Sequence, residues 1–454
     1  MRVHFIAIGG AAMHNLAIAL HLNGFAVTGS DDVLYEPSKN RLKNNGLLPQ
    51  REGWHPDQIT SDIEAVILGM HAKADNPELL KAQELNIPVY SYPEYIYEQS
   101  KNKKRIVVGG SHGKTTITSM ILHVLNHYQK DFDYLVGAQI EGFTNMVKLS
   151  DAPVIVIEGD EYLASPIDRR PKFHLYKAHV GIISGVAWDH INVFPTFDNY
   201  KKQFTKFIHT IEPAGSLIYS EDDKELVELV RNYQSDNPIT IIPYKADPFI
   251  VEDGKTFLEI EDKKVALEVF GKHNLMNISA ARLACEQIGI SGSEFYQAIK
   301  SFKGAAKRLE KLAENEHTVI YKDFAHSPSK LKATVEAVKN QYPNRKLIAC
   351  MELHTFSSLD KNFLTEYAYS LDDADEAIVF IDEATVKQKG KELFSEQEIF
   401  DGFKSKDIKY FNKSEEIKSA LEAFKLTNCN VLFMSSGNFG GIDLVTLSKT
   451  ILLK

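Results

Sequence analysis

The sequence predicts an α/β protein of about three domains built on parallel sheets. Short buried-strand runs alternate with helical patterns through most of the chain, which is typical of doubly wound sheets. Several of these runs end in a glycine-containing turn that leads directly into a helix. The 454 residues also suffice for three domains at roughly 150 residues each. We therefore expect ligand sites at the carboxyl ends of the strands.

Composition argues against several classes of protein. The chain has 52 basic and 61 acidic residues, a net charge of −9, which disfavours nucleic acid as the main partner. No apolar run reaches the roughly 18 residues of a membrane-spanning helix, and the first residues enter a strand rather than form a signal peptide. The three cysteines are far apart and indicate neither disulfides nor a metal site. We expect a soluble, cytoplasmic protein without membrane or nucleic-acid partners, as a monomer or weak homo-oligomer.

The first hundred residues contain a glycine turn that can bind phosphate. A strand over Val3–Ile8 leads into the turn Gly9–Met13, and a second strand over Ala26–Thr28 is soon followed by Asp31. An acid at that distance from the turn can bind a ribose hydroxyl. However, Ala7 replaces the first glycine of a dinucleotide fingerprint and the third glycine is missing. On these residues alone, a purely structural turn remains open.

The strongest local signal is a glycine-containing loop after Arg105, which joins a predicted strand to a predicted helix. A strand over Ile106–Val108 stops at two glycines, and a helical pattern follows. Backbone N–H groups at such a helix start favour bound phosphate, Lys114 can reach terminal phosphates, and the Thr115 hydroxyl can help to hold Mg²⁺. The candidate loop residues are Gly110, Ser111, His112, Gly113, Lys114, Thr115 and Thr116. An ordinary strand–turn–helix is disfavoured because all parts occur in the order that phosphate binding needs. The charged run Lys101–Arg105 before it is predicted to be a linker.

Two further strands lead into residues that suit a metal site. Val154–Ile157 is followed by Glu158, and Val180–Ser184 is followed by Asp189 and His190. Because parallel strands end at a common edge, we expect Glu158 and His190 to complete a Mg²⁺ site beside the phosphate loop. A helix-capping role for Asp189 and His190 is the alternative.

The second half of the chain changes its pattern twice. Phe249–Phe270 is predicted to form an antiparallel meander, and a helix follows it. Asn274 and Asn277 share one face of the first turn of that helix, where their amides can either read an adenine edge or cap the helix. From Thr318 onward strands and helices alternate again. The last strand ends in the glycine loop Gly437–Gly441, for which a plain turn is the alternative.

In this order, the motifs GGSHGKTT, EGDE, KHNLMN and DFAHSP resemble those of the Mur ligase family, ATP-dependent enzymes that build bacterial cell-wall precursors. The resemblance covers essentially the whole chain and implies a three-domain architecture. A Rossmann-like UDP-sugar-binding domain would span residues 1–102, a P-loop ATPase-like domain 103–312, and a Rossmann-like ligase domain 313–454. ATP and Mg²⁺ are the implied cofactors.

The resemblance also implies roles for individual residues. Lys114, His190 and Arg308 would be catalytic, and Thr115, Glu158 and His190 would hold the metal. Besides the phosphate loop, the nucleotide would contact His273, Asn274, Asn277, Arg308, Asp323 and His326. The substrate UDP-N-acetylmuramate would contact Gly9, Gly10, Ala11, Met13, Ser30, Asp31 and His71.

The second substrate would be an amine, and two groups of the family differ in it. One group adds L-alanine, and the other adds the recycled tripeptide L-alanyl-γ-D-glutamyl-meso-diaminopimelate. The resemblance favours the tripeptide through three stretches, Glu158–Tyr162, Asp168–Phe173 and Met434–Gly441. Tyr162-Leu163 stands where the alanine-adding group has a serine-aspartate pair. L-alanine remains the alternative acceptor for peptidoglycan synthesis.

Three positions depart from the family pattern and concern the substrates. Ala7 replaces a glycine, Gly185 replaces an asparagine, and His354 replaces the arginine of the peptide-binding loop.

Two other classes of protein remain as remote alternatives. A nicotinamide-dependent oxidoreductase would use the turn at Gly9 but leave Lys114 unexplained, and a non-catalytic precursor sensor would not need so complete a catalytic set.

Overall fold

The computed structural model describes residues 1–140, 142–188, 193–305, 308–405, 407–424 and 427–453. The chain forms two compact units. Unit 1 contains Met1–Val186, Thr196–Lys245 and Ala280–Phe295, and unit 2 contains Ala187–Pro195, Ala246–Ser279 and Tyr296–Lys454. Both are built on mostly parallel sheets with helices, which confirms the predicted α/β class. Across these ranges, no helix is both long and apolar enough to cross a membrane.

The N-terminal part of unit 1 is a four-stranded parallel sheet. Its strands are β1 (Arg2–Ile6), β2 (Ala26–Ser30), β3 (Ala65–Leu68) and β4 (Val89–Ser91), in the order β2-β1-β3-β4. Its helices are α1 (Ala11–Leu22), α2 (Ser38–Asn44), α3 (Pro77–Glu84) and α4 (Tyr92–Ser100). The first strand ends two residues before the predicted Ile8. Ala7 has a φ of +66°, and this left-handed conformation terminates the extended strand.

The central part of unit 1 is a seven-stranded sheet. Its strands are β5 (Lys104–Gly109), β6 (Asp133–Leu135), β7 (Val147–Lys148), β8 (Val154–Glu158), β9 (Val180–Ile183), β10 (Ser216–Ser220) and β11 (Thr240–Tyr244). Their order is β11-β10-β9-β5-β8-β6-β7, and only the β6–β7 pair is antiparallel among the described strands. The helices of this part are α5 (Lys114–His127), α6 (Phe197–His209) and α7 (Lys224–Arg231). Because β5 lies between β9 and β8, the residues that follow these three strands meet at one edge.

The charged run Lys101–Arg105 is not the linker that the sequence predicts, because its last two residues begin β5. Arg105 is only 2% exposed, and its guanidinium donates to the carbonyl oxygens of Ser100 at 2.9 Å, Lys101 at 3.0 Å and Lys177 at 2.8 Å. It also pairs with Glu212 at 3.1 Å. These bonds fix the beginning of β5 to the end of α4, because a buried guanidinium must satisfy its donors within the protein.

Unit 2 contains the predicted meander and a six-stranded sheet. The meander strands are β12 (Phe249–Glu252), β13 (Lys255–Ile260) and β14 (Lys263–Leu267). Helices α8 (Lys272–Glu286) and α9 (Gly292–Ile299) follow along the chain. The strands of the larger sheet are β15 (Glu310–Glu314), β16 (Val319–Asp323), β17 (Lys346–Glu352), β18 (Glu376–Phe380), β19 (Ile408–Phe411) and β20 (Cys429–Met434). Their order is β15-β16-β20-β17-β18-β19, with β15 antiparallel.

Helices alternate along the chain with the strands of the larger sheet, and apolar side chains cover both of its faces. The helices are α10 (Pro328–Gln341), α11 (Glu383–Gln388), α12 (Glu396–Phe403), α13 (Ser414–Ala423) and α14 (Leu444–Leu452). Along β17, Leu347, Ala349 and Met351 belong to one apolar cluster, whereas Ile348 and Cys350 belong to another. Successive side chains of a strand point to opposite faces. The sheet is therefore buried on both sides, and its polar residues are left to the strand ends.

Candidate functional site

The phosphate loop in unit 1 connects β5 to α5 and depends on two glycines. Gly110 has a φ of +126° and Gly113, directly before the helix, has a φ of +79°. A side chain at Gly110 would also place its Cβ atom 2.8 Å from the backbone nitrogen of Ser184. Both positions thus require glycine, for conformation or for space. The loop is further fixed by a hydrogen bond from the N–H of Ser111 to the carbonyl of Gly185 at 3.0 Å.

Lys114 lies inside this loop and is held by a buried carboxylate. Its ammonium group donates to the carbonyl of Gly110 at 2.6 Å and to Glu161 at 2.8 Å. The hydroxyl of Tyr200 donates to the other oxygen of Glu161 at 3.0 Å. Burial alone would lower the pKa of Lys114, but the charges of Glu161 and Asp160 outweigh it, so the pKa lies above its ordinary value. The loop therefore contains a permanent cation. The sequence pattern indicated no individual role for Glu161 or Tyr200.

Thr115 and Glu158 meet beside the loop, as the metal hypothesis requires. The Thr115 hydroxyl donates to Oε1 of Glu158 at 2.8 Å, and the N–H of Gly137 donates to Oε2 at 2.8 Å. A hydroxyl and a carboxylate are oxygen ligands of the kind that Mg²⁺ prefers, so these residues fit that ion. The third proposed ligand, His190, and its neighbour Asp189 lie outside the described residues. Within the described ranges, no cluster of three or more His, Cys, Asp or Glu side chains suits a metal ion.

The presence of glycine at position 185 has a steric explanation in this chain. A Cβ atom at this position would lie 2.8 Å from Nε2 of His112. The imidazole of His112 also makes a 2.9 Å hydrogen bond with the Ser111 hydroxyl, and the Ser184 hydroxyl donates to the His112 carbonyl. The ring thus occupies the space into which a side chain at position 185 would extend.

The N-terminal turn brings together some of the residues predicted to contact the sugar nucleotide. The N–H of Gly9 donates to Oδ2 of Asp31 at 2.6 Å, and the Ser30 hydroxyl donates to buried Glu78. Burial raises the pKa of Asp31 to about 6, against the Gly9 hydrogen bond, which lowers it. Gly10 directly precedes α1, Ala11 and Met13 lie in its first turn, and His71 is exposed after β3. The Gly9 N–H is therefore already paired with an internal carboxylate.

In unit 2, the start of α8 corrects one interpretation of the asparagines. The helix begins at Lys272, so Asn274 is inside it and is not an N-cap; its side-chain amide donates to the carbonyl of Phe270 at 2.8 Å. Asn274 and Asn277 are both buried. Burial lowers the pKa of His273, against Asp323, which raises it, and Nδ1 of His273 is buried without a hydrogen-bond partner. An unpaired buried nitrogen at this helix start is consistent with a ligand contact.

The loop after β16 groups the other predicted nucleotide residues of unit 2. Asp323 accepts the backbone N–H groups of Leu309 at 2.6 Å and Ala325 at 2.8 Å. The guanidinium of Arg308 lies 4.6 Å from the centre of the Phe324 ring, and Nδ1 of His326 lies 2.8 Å from the Phe324 carbonyl oxygen. Arg308, Asp323 and His326 are therefore brought together around one loop.

The basic residues considered for an acceptor peptide already have partners in unit 1. Lys172 pairs with Asp160 at 2.7 Å, and Arg170 pairs with Asp168 at 2.6 Å and with Glu94 at 3.1 Å. Binding of substrate carboxylates by Lys172 or Arg170 would have to break these pairs. This stretch therefore gives less support to a tripeptide acceptor than its sequence suggested.

Comparison with known proteins covers nearly the whole chain. Three family profiles match it: "Mur ligase family, catalytic domain" over residues 2–104, "Mur ligase middle domain" over 108–285, and "Mur ligase, glutamate ligase domain" over 307–437. The UDP-N-acetylmuramate–L-alanine ligase of Clostridium kluyveri is 32% identical over 90% of this chain and 91% of its own length. The enzyme of the same name from Carboxydothermus hydrogenoformans is 30% identical over 99% of this chain and 97% of its own.

Solved structures share the fold. UDP-N-acetylmuramate-alanine ligase from Thermotoga maritima aligns with a TM-score of 0.69 and 21% identity, covering 100% of this chain and 98% of its own. Murein peptide ligase from Psychrobacter arcticus aligns with a TM-score of 0.63 and 21% identity, covering 99% and 98%. At this identity the likeness concerns the fold and does not separate the two acceptors.

Proposed function

The chain belongs to the Mur ligase family of ATP-dependent ligases, and on that premise we propose that it joins the carboxylate of UDP-N-acetylmuramate to the amine of L-alanine. The observation that carries the proposal is the 30–32% identity, over 90–99% of the chain, to relatives that are named for this reaction. ATP and Mg²⁺ are the proposed cofactors. The proposed division into domains at residues 1–102, 103–312 and 313–454 follows from the same resemblance.

A tripeptide beginning with L-alanine is the second candidate acceptor. It is supported by the Tyr162-Leu163 pair and by likeness to one murein peptide ligase, from Neisseria meningitidis, which is 25% identical with a TM-score of 0.59 over 68% of this chain and 99% of its own. The internal pairing of Lys172 and Arg170 weakens it. The sequence relatives favour L-alanine, and we therefore place the tripeptide second.

The proposed reaction makes the carboxylate electrophilic before the amine attacks it. Transfer of the γ-phosphoryl group of ATP to the muramoyl carboxylate gives an acyl phosphate. The neutral amine attacks its carbonyl carbon, a tetrahedral oxyanion forms, and inorganic phosphate leaves with the former carboxylate oxygen. Positioning and charge neutralisation account for most of phosphoryl-transfer catalysis. Lys114 would neutralise charge on the transferring group, and Arg308 would face the nucleotide phosphates.

Residues around Lys114 prepare it for this role. The Gly110 carbonyl and Glu161, which in turn accepts the Tyr200 hydroxyl, restrain the ammonium group, so little side-chain freedom remains to be lost when phosphate binds. Thr115, Glu158 and His190 are the residues proposed to hold Mg²⁺, which would supply further positive charge when bound.

A competition assay tests the proposal and ranks the acceptors. Phosphate release is measured with ATP, Mg²⁺ and UDP-N-acetylmuramate, with L-alanine and the tripeptide supplied at equal concentration, and the two products are quantified as specificity constants. We expect release to require both the muramyl nucleotide and an amine, and we expect L-alanine to be the better acceptor. A preference for the tripeptide would make it the first candidate acceptor and L-alanine the second. Phosphate release that ignores the muramyl nucleotide would overturn the proposed acid substrate.

A further inference from the structure

A cavity in unit 1 lies away from the phosphate loop. Its volume of about 720 Å³ is in the range of small-molecule sites. Its walls come from β4 and α4 of the N-terminal part, and from the chain before β9 and the end of α6 in the central part. We call it the Tyr97 cavity, after one of the aromatic side chains that line it. None of its described lining residues belongs to the phosphate loop or to the proposed metal site.

The Tyr97 cavity is close to the ends of the strands that are opposite to the phosphate loop. The Tyr97 ring lies 5.1 Å from the guanidinium of Arg105, the second residue of β5. It also lies 5.4 Å from the ammonium group of Lys177, which comes shortly before β9. The phosphate loop follows the other end of β5, and this strand of 6 residues spans roughly 20 Å. The cavity and the loop are therefore separate sites.

Two cations that line the cavity have no anionic partner. Lys177 and Lys206 are exposed, and among the described residues no carboxylate pairs with either ammonium group. Lys177 is nevertheless held in position, because its backbone carbonyl accepts the Nε–H of Arg105 at 2.8 Å. Both ammonium groups are thus available to an anion that enters the cavity.

The acids that line the cavity already have partners. Glu98 pairs with Lys101 at 2.6 Å, and Glu94 pairs with Arg170 at 3.1 Å. The second oxygen of Glu94 accepts the N–H of Ser91 at 2.9 Å. The unpaired charge that lines the cavity is therefore positive.

His174 forms a fixed and neutral part of the wall. The residue is buried, its Nε2 lies 2.7 Å from the carbonyl oxygen of Gln203, and its ring stacks on Phe173 with the ring centres 4.7 Å apart. Burial lowers the pKa of His174 to about 4, against the hydrogen bond to Gln203, and the charges of Lys206 and Arg170 also lower it. The imidazole is neutral at neutral pH, so the two lysines determine the charge that the cavity accepts.

The lining selects the chemistry of the ligand. Most of the lining surface is apolar, and Tyr90, Tyr97 and Leu175 contribute to it. A planar ring can pack against the tyrosine rings, while an anionic group on the same molecule can pair with the ammonium groups of Lys177 and Lys206. A cationic ligand would be repelled by these lysines. Inorganic phosphate alone would leave the apolar surface uncovered.

We infer that the Tyr97 cavity binds a small aromatic anion, whose ring contacts Tyr97 and whose carboxylate or phosphate group pairs with Lys177 and Lys206. This ligand is additional to the substrates of the proposed reaction, and the inference does not depend on that reaction. Because the walls of the cavity belong to both parts of unit 1, the ligand would stabilise the contact between them.

Probes that share one ring and differ in charge give the first test. Ligand-observed NMR titrations of the full chain compare 1-naphthoate and 1-naphthyl phosphate with 1-naphthylmethylammonium. We expect an anion to bind and the ammonium compound not to bind, and the tighter of the two anions identifies the preferred group. Equal affinity for the anions and the ammonium compound, or no binding of either anion, would overturn the inference.

Single substitutions locate the bound probe. Lys177→Ala and Lys206→Ala should each raise the Kd of the anion by about three- to tenfold, because one charged contact is lost. Both side chains are exposed, so the variants should fold, which circular dichroism checks. The matched control Lys202→Ala, also exposed on α6, and the phosphate-loop variant Lys114→Ala should bind the probe as the wild type does. Lost binding in Lys114→Ala, with normal binding in the two cavity variants, would place the probe in the phosphate loop and refute the assignment.

Charge reversal gives a test that depends on a gain of binding. In the double variant Lys177→Glu/Lys206→Glu, the preference should invert, so that 1-naphthylmethylammonium binds and the two anions do not. The melting temperature of the double variant without probe serves as the check of its fold. If the folded double variant still prefers the anions, the anionic group does not contact these lysines and the inference fails.

Discussion

Two strand–turn–helix units of unit 1 have turns of equal length, over residues 7–10 and 110–113, and opposite internal charges. Between β1 and α1, the carboxylate of Asp31 accepts the N–H of Gly9 at 2.6 Å. Between β5 and α5, the ammonium of Lys114 lies against the carbonyl of Gly110 at 2.6 Å. A phosphate approaching the first turn meets an N–H group that an anion already occupies, whereas at the second turn it meets a cation. A glycine turn alone therefore does not define a phosphate site. The charge of the side chain that enters the turn determines whether the turn can bind phosphate.

Replacement of Lys114, in the second turn, should have the largest effect on activity. In Lys114→Ala, we expect kcat/KM to fall by about 10²–10³-fold, because a charge that stabilises the transferring phosphoryl group is lost. Phosphate release is measured at saturating Mg²⁺, with circular dichroism as a check of the fold. The matched control Lys202→Ala changes an exposed lysine on α6 and should retain wild-type rates. Activity of Lys114→Ala within about threefold of the wild type would contradict the phosphate-loop assignment.

Glu158→Gln should give the next largest effect, which is a change in the Mg²⁺ concentration that the enzyme needs for activity. Replacing a carboxylate ligand by an amide weakens binding of Mg²⁺, so the concentration for half-maximal activity should rise by about tenfold. The change preserves the size of the side chain and an oxygen that accepts from Thr115. Glu228→Gln, an exposed glutamate on α7, is the control. An identical Mg²⁺ titration for Glu158→Gln and wild type would count against Glu158 as a ligand.

Gly185→Ala should have a smaller effect, of about three- to tenfold on the KM for ATP, because the new methyl group displaces the His112 ring from the loop. A double-mutant cycle isolates this cause. When His112→Ala is already present, adding Gly185→Ala should have almost no further effect on the KM for ATP. Additive effects of the two changes would show that Gly185 acts through some other contact.

Asp31→Asn should leave the KM for ATP unchanged and alter the pH dependence of stability. The pKa of Asp31 is raised from 3.8 to about 6 in the folded protein, so folding favours the protonated acid. The free energy of unfolding should therefore fall as the pH rises from about 4 to above 6, by roughly 1–3 kcal/mol, and then become constant. Urea unfolding across this range should show that component in the wild type and not in Asp31→Asn. A difference between the two proteins that is independent of pH would refute this origin.

The backbone of both turns could be predicted because its signals are local. Glycines, a preceding strand run and a following helical pattern lie within about ten residues, as expected for turn and helix-start signals. The partners of the turn residues could not be predicted in the same way. Glu161 reaches Lys114 because β8 lies beside β5, and Gly185 reaches His112 because β9 lies on the other side. Strand order is a property of the whole sheet.

Side chains with two plausible roles were the other difficulty. Asn274 suited either a ligand or a helix cap by residue type, and the start of α8 two residues earlier excludes the cap. Lys172 and Arg170 suited a substrate carboxylate, but acids nearby in the fold pair with them first. The roles of His190 in metal binding and of His71 in substrate binding stay predictions.

The buried guanidinium of Arg105 limits how this protein can be cut into independent parts. A fragment beginning at residue 103 would lack the carbonyl groups of Ser100 and Lys101, which accept two of its hydrogen bonds. The bonds to Glu212 and to the carbonyl of Lys177 would remain, but a buried donor that loses its acceptor costs about 1–3 kcal/mol, a noticeable fraction of the stability of an ordinary domain. Although the second family profile begins only at residue 108, the autonomous folding unit must therefore extend upstream to include the end of α4.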